Sequence, residues 1–247
     1  MTRMVMRQDG WAALKPASDM RRGLKSAITC EGTGLHSGAS VHLRLAPAPA
    51  GSGITFRRTD LDATIPARFD FVADTRLSTV LADPARPEAR IGTVEHVMAA
   101  LAGLGIDDAL IEVDGPEIPI LDGSAAEFVF LIHCAGIAGT DAPRAAIEIL
   151  RPVRITDGAA FAELRPARFG GGNFALALDI DFPARAIGRQ GFSLDLSPER
   201  FIEDLARART FTMKAEIDAL HEAGLARGGS LANAIVVDDG HVLNPEG

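Results

Sequence analysis

Apolar and polar residues alternate in several short runs of the N-terminal half of the chain. Apolar side chains occupy every second position in 41–45, and the same spacing recurs in 54–56 and in 69–71. Successive side chains of a β-strand point to opposite faces, so this pattern predicts half-buried strands. The apolar run 109–113 predicts one further short strand.

Between Thr93 and Gly105 the apolar positions change to helical spacing. The alanines in this stretch favour a helix, and the glycines at its end favour termination. The pattern predicts a helix that Thr93 caps, with Glu95 and His96 in its second and third positions. A second helix is predicted over 128–135.

The second half of the chain begins with strand patterns and continues with helical ones. Ser197 and Pro198 form a favourable helix start, and Met213–Leu225 reads as an amphipathic helix before a strand at 234–237. The strands predicted before them are 145–150, 152–156, 159–164 and 173–182. Between the last two, the glycines at 170–172 predict a turn.

Strands followed by helices, twice over, predict an α+β protein. We expect two similar two-layer domains, each a sheet packed on helices, with the second domain incomplete. Residues 1–23 read as a flexible N-terminal extension, 24–138 as the first domain, 139–144 as a polar linker and 145–247 as the second domain.

The composition narrows the classes of function. With 47% hydrophobic residues in 247, the chain can bury a globular core, and a net charge of -8 argues against a nucleic-acid partner. The two cysteines, Cys30 and Cys134, suggest neither a disulfide framework nor a cysteine metal cluster. This cysteine usage is typical of a reduced, cytoplasmic protein, and we find no signal peptide and no membrane-spanning run.

Glu95 and His96 are the candidate chemical residues. Adjacent helical residues diverge by about 100°, so these two can share a site only in different roles, such as a His metal ligand and a Glu base. A solvated first turn is the competing interpretation. His221, near Asp218, and His241 are interpreted as surface residues.

Ordered sequence blocks make the chain resemble the UDP-3-O-acyl-N-acetylglucosamine deacetylase family, the zinc-dependent hydrolases that commit bacteria to lipid A biosynthesis. The match also extends over most of the chain. The blocks are 32–38 (GTGLHSG), 54–60 (ITFRRTD), 93–96 (TVEH), 117–124 (EIPILDGS), 208–211 (ARTF), 228–230 (GGS) and 235–239 (IVVDD).

The resemblance implies a role for each matched residue. Glu95 would be the general base, His96 the first zinc ligand, and Thr210 the hydrogen-bond donor to the acetyl oxyanion. Phe182 would stack on uracil, and residues 211–231 would be an insert that encloses the acyl chain. The other residues expected at the substrate are Phe211, Met213, Ile217, Gly229, Ser230 and His36.

Two of these assignments have alternatives that the residues alone leave open. The apolar stripe of the insert is also typical of ordinary core packing. His36 is also compatible with a structural role in its glycine-rich loop. The implied partner is a UDP-linked acylated glucosamine, and the oligomeric state is undetermined.

The family pattern continues, after a Leu-Asn-x-x-Gly turn, into a His-Lys-x-x-x-Asp motif and a later general-acid His. This sequence contains neither, so we expect an incomplete zinc site and a chain that is inactive or nearly so. An inactive fragment, or a non-enzymatic module that binds the UDP-sugar or the acyl chain, is the alternative. An unrelated α+β binding protein would require the ordered blocks to be coincidental.

Overall fold

The computed structural model describes residues 12–167 and 174–245, and these confirm the predicted α+β class. The helices are α1 (Glu95–Gly103), α2 (Ala126–Ala135), α3 (Pro198–Asp204), α4 (Lys214–Glu222) and a 3-10 turn, Phe69–Phe71. The strands are β1 (Ala12–Leu24), β2 (Ile28–Thr33), β3 (Ser40–Ala46), β4 (Ile54–Arg58), β5 (Ala63–Pro66), β6 (Val72–Asp74), β7 (Val80–Asp83), β8 (Arg86–Ile91), β9 (Ala109–Val113), β10 (Ile137–Ile149), β11 (Val153–Asp157), β12 (Ala160–Leu164), β13 (Phe174–Asp181), β14 (Arg189–Leu196), β15 (Phe211–Met213), β16 (Ile235–Asp238) and β17 (His241–Val242).

The centre of the first half is a five-stranded sheet in the order β2-β3-β9-β4-β5. Strands β4 and β9 run parallel, and the other neighbours are antiparallel. The alternation predicted for 41–45 is confirmed, because Val41, Leu43 and Leu45 are buried while the residues between them are exposed. Helices α1 and α2 contribute Leu101 and Phe128 to the same core.

Helix α3 completes this core from the second half of the chain. Phe201 is buried in the same cluster as the residues of α1 and α2. A Cβ atom built on Gly103 would lie 2.3 Å from the Phe201 ring, so only glycine lets the two helices approach this closely. Burying a side chain of this size contributes about 1.5–3 kcal/mol to stability.

The strands of the second half form smaller sheets. Strand β11 pairs with β12 and β13 with β14, while β15, β16 and β17 form a three-stranded sheet in which β15 and β16 are parallel. Each hairpin keeps exposed apolar side chains, including Ile155 and Leu178. The predicted turn at 170–172 lies outside the described residues, and the division into two similar domains stays a prediction.

Two predicted boundaries differ from the structure. Residues 12–24, mostly assigned to a flexible extension, form β1 and pair with β10. Residues 139–144, predicted as a linker, lie inside β10. The polar residues of 139–144 do not have the alternation that predicts a strand. The strand forms because its backbone pairs with β1, which is far away in sequence.

One ion pair anchors the end of β1 to the first sheet. The Arg21 guanidinium donates at 2.8 and 2.7 Å to the carboxylate of Asp108, which is buried. Asp108 also accepts the Gly53 N–H at 2.7 Å. Leu24, at the end of the same strand, is buried against the core.

The strand predicted at 69–71 is wrong. These residues form the 3-10 turn, and Phe69 is 81% exposed. Arg68 and Asp70 form an ion pair across the turn, which a two-residue alternation of phenylalanines does not reveal. Within the described part of the chain, no helix has the length and apolar character to cross a membrane.

Candidate active site

The segment before α1 differs from the predicted cap. Thr93 has a φ of +56°, and its hydroxyl donates to Glu117 Oε1 at 2.8 Å and does not cap the helix. Helix α1 therefore begins at Glu95, so Glu95 and His96 occupy its first and second positions. The prediction of one shared first turn holds, and the prediction of a Thr93 cap is wrong.

Glu95 is oriented by the backbone beside it. Its Oε2 accepts the Thr79 N–H at 2.9 Å, and the side chain is half-buried. A carboxylate at a helix N-terminus is stabilised in its ionised form by the helix dipole. The arrangement presents a fixed carboxylate at the start of α1.

His96 lies beside Glu95 in a half-buried position. Burial lowers the pKa of its imidazole, and the opposing negative charges of Glu95 and Asp122 do not reverse that effect. The ring is therefore neutral at pH 7, which is the state that a metal ligand or a hydrogen-bond acceptor requires.

Thr210 is held against the turn that carries Asp122. Its N–H donates to Gly123 O at 2.8 Å, and the guanidinium of the preceding Arg209 donates to Asp122 O at 2.8 Å. The charge of Asp122 also acts on His96. This turn therefore holds the segment of Thr210 and lies within electrostatic range of the start of α1.

The same turn contacts the segment before β16. A Cβ atom at Gly123 would lie 2.0 Å from Asn233 O, so this contact requires glycine. The Asn233 amide accepts the Ser230 N–H at 2.8 Å and donates to Gly228 O at 2.9 Å. Asn233 therefore fixes the loop that contains Gly229 and Ser230.

That loop packs in turn on the loop of His36. The Gly228 N–H donates to Leu35 O at 3.0 Å, and a Cβ atom at Gly228 would lie 2.3 Å from Gly34 O. Both ring nitrogens of His36 are buried and have no hydrogen-bond partner among the residues that the structure describes. Within the described residues, no hydrogen bond therefore assigns the imidazole a structural role.

An aromatic cavity lies beside β15. The rings of Phe182 and Phe211 pack edge to face with their centroids 5.3 Å apart. They border a cavity of about 440 Å³ together with Pro183, Ala184, Thr212, Met213 and Glu216. Ile217, on α4, is half-buried and is not among the lining residues.

The residues expected at the substrate therefore fall into two groups. In the first group, the Asp122 turn holds the Thr210 segment and its charge acts on His96, which adjoins Glu95, while the His36 loop pairs with the loop of Gly229 and Ser230. Phe182, Phe211 and Met213 share the aromatic cavity. Ile217 is the expected residue that neither group contains.

A zinc ion would need further ligands. His96 has a suitable neutral imidazole, yet no group of three or more His, Cys, Asp or Glu residues in the described ranges is placed to hold a metal. A catalytic zinc usually has three protein ligands. These residues do not form such a site, and we assign no chemical step to the metal. His221 and His241 are exposed, as interpreted.

Glu117 and Asn233 are buried polar residues for which no individual role is predicted from the sequence. Glu117 had one usable signal, since it is the single charged residue in the otherwise apolar segment 116–121. A charge in such a segment indicates a buried hydrogen-bond network. Asn233 carried no comparable signal, because asparagine is common in loops.

Comparison with known proteins identifies the family. The model described as "LpxC: UDP-3-O-acyl N-acetylglycosamine deacetylase" matches residues 21–247. UDP-3-O-acyl-N-acetylglucosamine deacetylases from Myxococcus xanthus, Acidithiobacillus ferrooxidans and an Anaeromyxobacter species are 48%, 49% and 51% identical to this chain. The matches cover 95%, 92% and 92% of this chain and 73%, 74% and 72% of those proteins. The chain therefore belongs to the LpxC family of UDP-3-O-acyl N-acetylglycosamine deacetylases.

Proposed function

We propose that this chain carries the base-bearing part of a deacetylase that acts on UDP-3-O-(3-hydroxyacyl)-N-acetylglucosamine. In the overall reaction, water adds to the acetyl carbonyl and the C–N bond breaks, which releases acetate and the free amine. The proposal is supported by the turn at Asp122, which holds the Thr210 segment and whose charge acts on His96, in a chain of the deacetylase family. We place the reaction in lipid A biosynthesis.

In this proposal each polar residue has one role. Glu95 accepts a proton from the attacking water, and its fixed carboxylate supports that role. Thr210 donates a hydrogen bond to the oxyanion that forms at the acetyl carbonyl. His96 is the residue expected to ligate zinc, because burial keeps its imidazole in the neutral form.

The aromatic cavity takes the nucleotide and the start of the acyl chain. Phe182 would stack on uracil, while Phe211 and Met213 offer apolar surface. Ile217 is the least supported member of the expected acyl wall, because it does not line the cavity. Gly229, Ser230 and His36 would contact the sugar from the paired loops.

We expect the 247-residue chain by itself to hydrolyse the substrate at or near the background rate. The described residues supply His96 and no group of three ligands for a metal, and a catalytic zinc requires about three. Binding of the UDP-sugar in the aromatic cavity does not need a metal. This favours a second candidate function, a binding module that recognises the UDP-sugar without cleaving it.

Metal analysis and ligand binding together separate these functions. The purified chain is tested for zinc content, for acetate release and for UDP-sugar affinity, with Glu95→Gln and Phe182→Ala as variants. Zinc at one per chain with acetate release that Glu95→Gln abolishes would establish the enzyme. Binding that Phe182→Ala weakens, without zinc, would establish the module. Neither binding nor cleavage would contradict both.

A further inference from the structure

The carboxylate of Glu117 joins two segments of the candidate site. Its Oε1 accepts the His36 N–H at 2.9 Å and the Thr93 hydroxyl at 2.8 Å. Its Oε2 accepts the Ser37 N–H at 2.9 Å. One buried side chain therefore holds both the His36 loop and the residue that precedes the first turn of α1.

Because Glu117 is buried, its carboxylate requires these hydrogen bonds. Glu117 is 4% exposed, and a carboxylate removed from water is stable only when protein donors replace the lost hydration. Glycine at position 34 leaves the space that the carboxylate needs, since a Cβ atom there would lie 2.5 Å from Glu117 Oε2. The pocket around this carboxylate is therefore shaped by both segments.

The backbone of residues 116–119 reinforces the connection. The Gly92 N–H donates to Pro116 O at 2.8 Å, and Ile118 donates back to Gly92 O at 3.0 Å. On the other side, Gly34 and Pro119 form an isolated antiparallel bridge. The segment thus lies between the loop of Gly34 and the residue before Thr93, with the side chain of Glu117 within reach of both.

Thr93 adopts a conformation that its own side chain disfavours. A β-branched residue with a φ of +56° is an outlier, and such strain persists only where the surroundings fix it. The hydrogen bond from its hydroxyl to Glu117 is one of the contacts that does so. The next two residues are Val94 and Glu95, so the angle at Thr93 sets the direction in which α1 begins.

We propose that Glu117 is a positioning residue, which fixes the Glu95–His96 turn relative to the His36 loop so that both face one substrate. The inference rests on the proposed function for the identity of that substrate. The physical coupling does not depend on it. Loss of the carboxylate should change α1 as well as the loop.

Four variants of the full 247-residue chain test this coupling. Glu117→Gln keeps the shape of the side chain and turns one acceptor oxygen into a donor group. Thr93→Val removes the hydroxyl alone, whereas Thr93→Ser keeps it. Glu112→Gln is the matched control, because Glu112 is a partly buried carboxylate of β9 that forms an ion pair with Arg44 on the outer face of the sheet.

The first readout is the backbone amide spectrum of Glu95, His96, His36 and Ser37. We expect Glu117→Gln and Thr93→Val to shift the Glu95 and His96 signals, and Thr93→Ser and Glu112→Gln to leave them in place. Signals of α1 that stay unchanged in both Glu117→Gln and Thr93→Val would overturn the inference. If Glu117→Gln does not fold, the two Thr93 variants decide the question alone.

The second readout is the affinity for UDP-3-O-acyl-N-acetylglucosamine by calorimetry. We expect Glu117→Gln and Thr93→Val each to weaken binding about tenfold, as loss of a hydrogen bond to a charged group does. The double variant should bind no worse than the single ones, because both break the same contact. Additive losses would overturn the coupling, and so would a loss of affinity in Thr93→Ser as large as the loss in Thr93→Val.

The two proposals fail in different ways. A wild-type chain that binds no UDP-sugar contradicts the proposed function, while the amide spectra still decide whether Glu117 couples the two segments. A wild-type chain that binds, with unchanged α1 signals in Glu117→Gln, contradicts only the positioning role.

Discussion

The imidazole of His36 is buried without a hydrogen-bond partner among the described residues. An unsatisfied polar group inside a protein costs about 1–3 kcal/mol of stability. Its loop is nevertheless fixed by two N–H donors to Glu117. A ligand that hydrogen-bonds the imidazole would offset this cost.

Replacing His36 with leucine should separate stability from binding. We expect His36→Leu to raise the free energy of unfolding by up to about 1 kcal/mol, because the unpaired nitrogens are removed. The affinity for the UDP-sugar should fall about tenfold, because a hydrogen-bonding group at the sugar is lost. Urea unfolding and calorimetry measure the two effects.

His133→Leu is the matched control, since His133 is exposed near the end of α2. It should change neither quantity beyond a few tenths of a kcal/mol. A His36→Leu variant that loses stability and keeps its affinity would show that His36 has a structural role in its loop.

Some residues of the candidate site could be predicted from the sequence, and others could not. Glu95 and His96 were visible as an adjacent pair, and a pair next to a helix start limits the possible roles. Glu117 was not assigned, because its partners Thr93 and His36 lie 24 and 81 positions away. The distances that define such a network exist only after folding.

At the scale of elements, the turn at Gly123 connects Thr210 with the segment before β16. Gly123→Ala should lower the free energy of unfolding by more than about 2 kcal/mol, because its φ is +83° and its Cβ would meet Asn233 O at 2.0 Å. The Thr210 N–H should also lose protection from hydrogen exchange. Chemical unfolding and exchange rates measure both effects.

Gly51→Ala provides the control for backbone strain. Its φ is +87°, and nothing lies within 4 Å of the Cβ position. It should cost about 1 kcal/mol from strain alone. Equal losses for the two variants would mean that the contact with Asn233 is unimportant.

The contribution of the Arg21–Asp108 ion pair to stability should depend on pH. Although burial alone would raise the pKa of Asp108, its bonds to Arg21 and to the Gly53 N–H lower the pKa below its ordinary value of 3.8. A lowered folded pKa contributes stability that is fully present above 3.8 and is lost as the pH falls through the folded value. Unfolding should therefore become easier in acid.

Asp108→Asn isolates this contribution. At pH 7 the variant should be less stable than the wild type by about 3 kcal/mol, because Arg21 is left without its buried partner. The difference should shrink as the pH falls through the folded pKa of Asp108, because the wild-type carboxylate then becomes neutral as well. Urea unfolding across this range checks it, and a difference that stays constant would contradict the assignment.

Elements with their own periodic signal were predicted well. The signal for β3 was the alternation of apolar and polar residues, the signal for β9 was an apolar run, and the signal for α3 was the Ser-Pro start. All three are local features of the sequence. Strand β1 and the 3-10 turn at 69–71 were missed. The first depends on a distant partner, and the second has strand-like spacing without a neighbouring strand to pair with at those residues.

At the scale of the whole molecule, one face of the β13–β14 hairpin is apolar and largely exposed. Phe174, Leu176 and Leu178 lie opposite Leu196, Leu194 and Phe192. Contiguous apolar surface of this kind promotes association. We expect the isolated chain to self-associate and to bind an apolar dye at micromolar concentration.

Leu178→Lys should lower the association constant by about tenfold or more, because the loss of one buried leucine is worth about 1.5–3 kcal/mol. Ala177→Lys adds the same charge to the opposite face of the strand and serves as the control. Sedimentation velocity compares the two. Equal behaviour of both variants would show that association does not use this face.

The α+β class could be predicted from the order of strand and helix patterns. The way the halves combine could not, because the core cluster of the first half includes Phe201 of α3. Neither Phe201 nor Gly103 carries a local signal for this contact. Membership of one core is a property of packing, which sequence periodicity does not encode.

The long pairing of β1 with β10 determines when the chain can finish folding during synthesis. Residues 12–24 leave the ribosome early in synthesis. Their partner strand ends only at Ile149, and the core is incomplete until Phe201 has been added. Until then the nascent N-terminal segment has an unpaired edge, which is a target for chaperones. Translation speed between these points should therefore influence the yield of native protein.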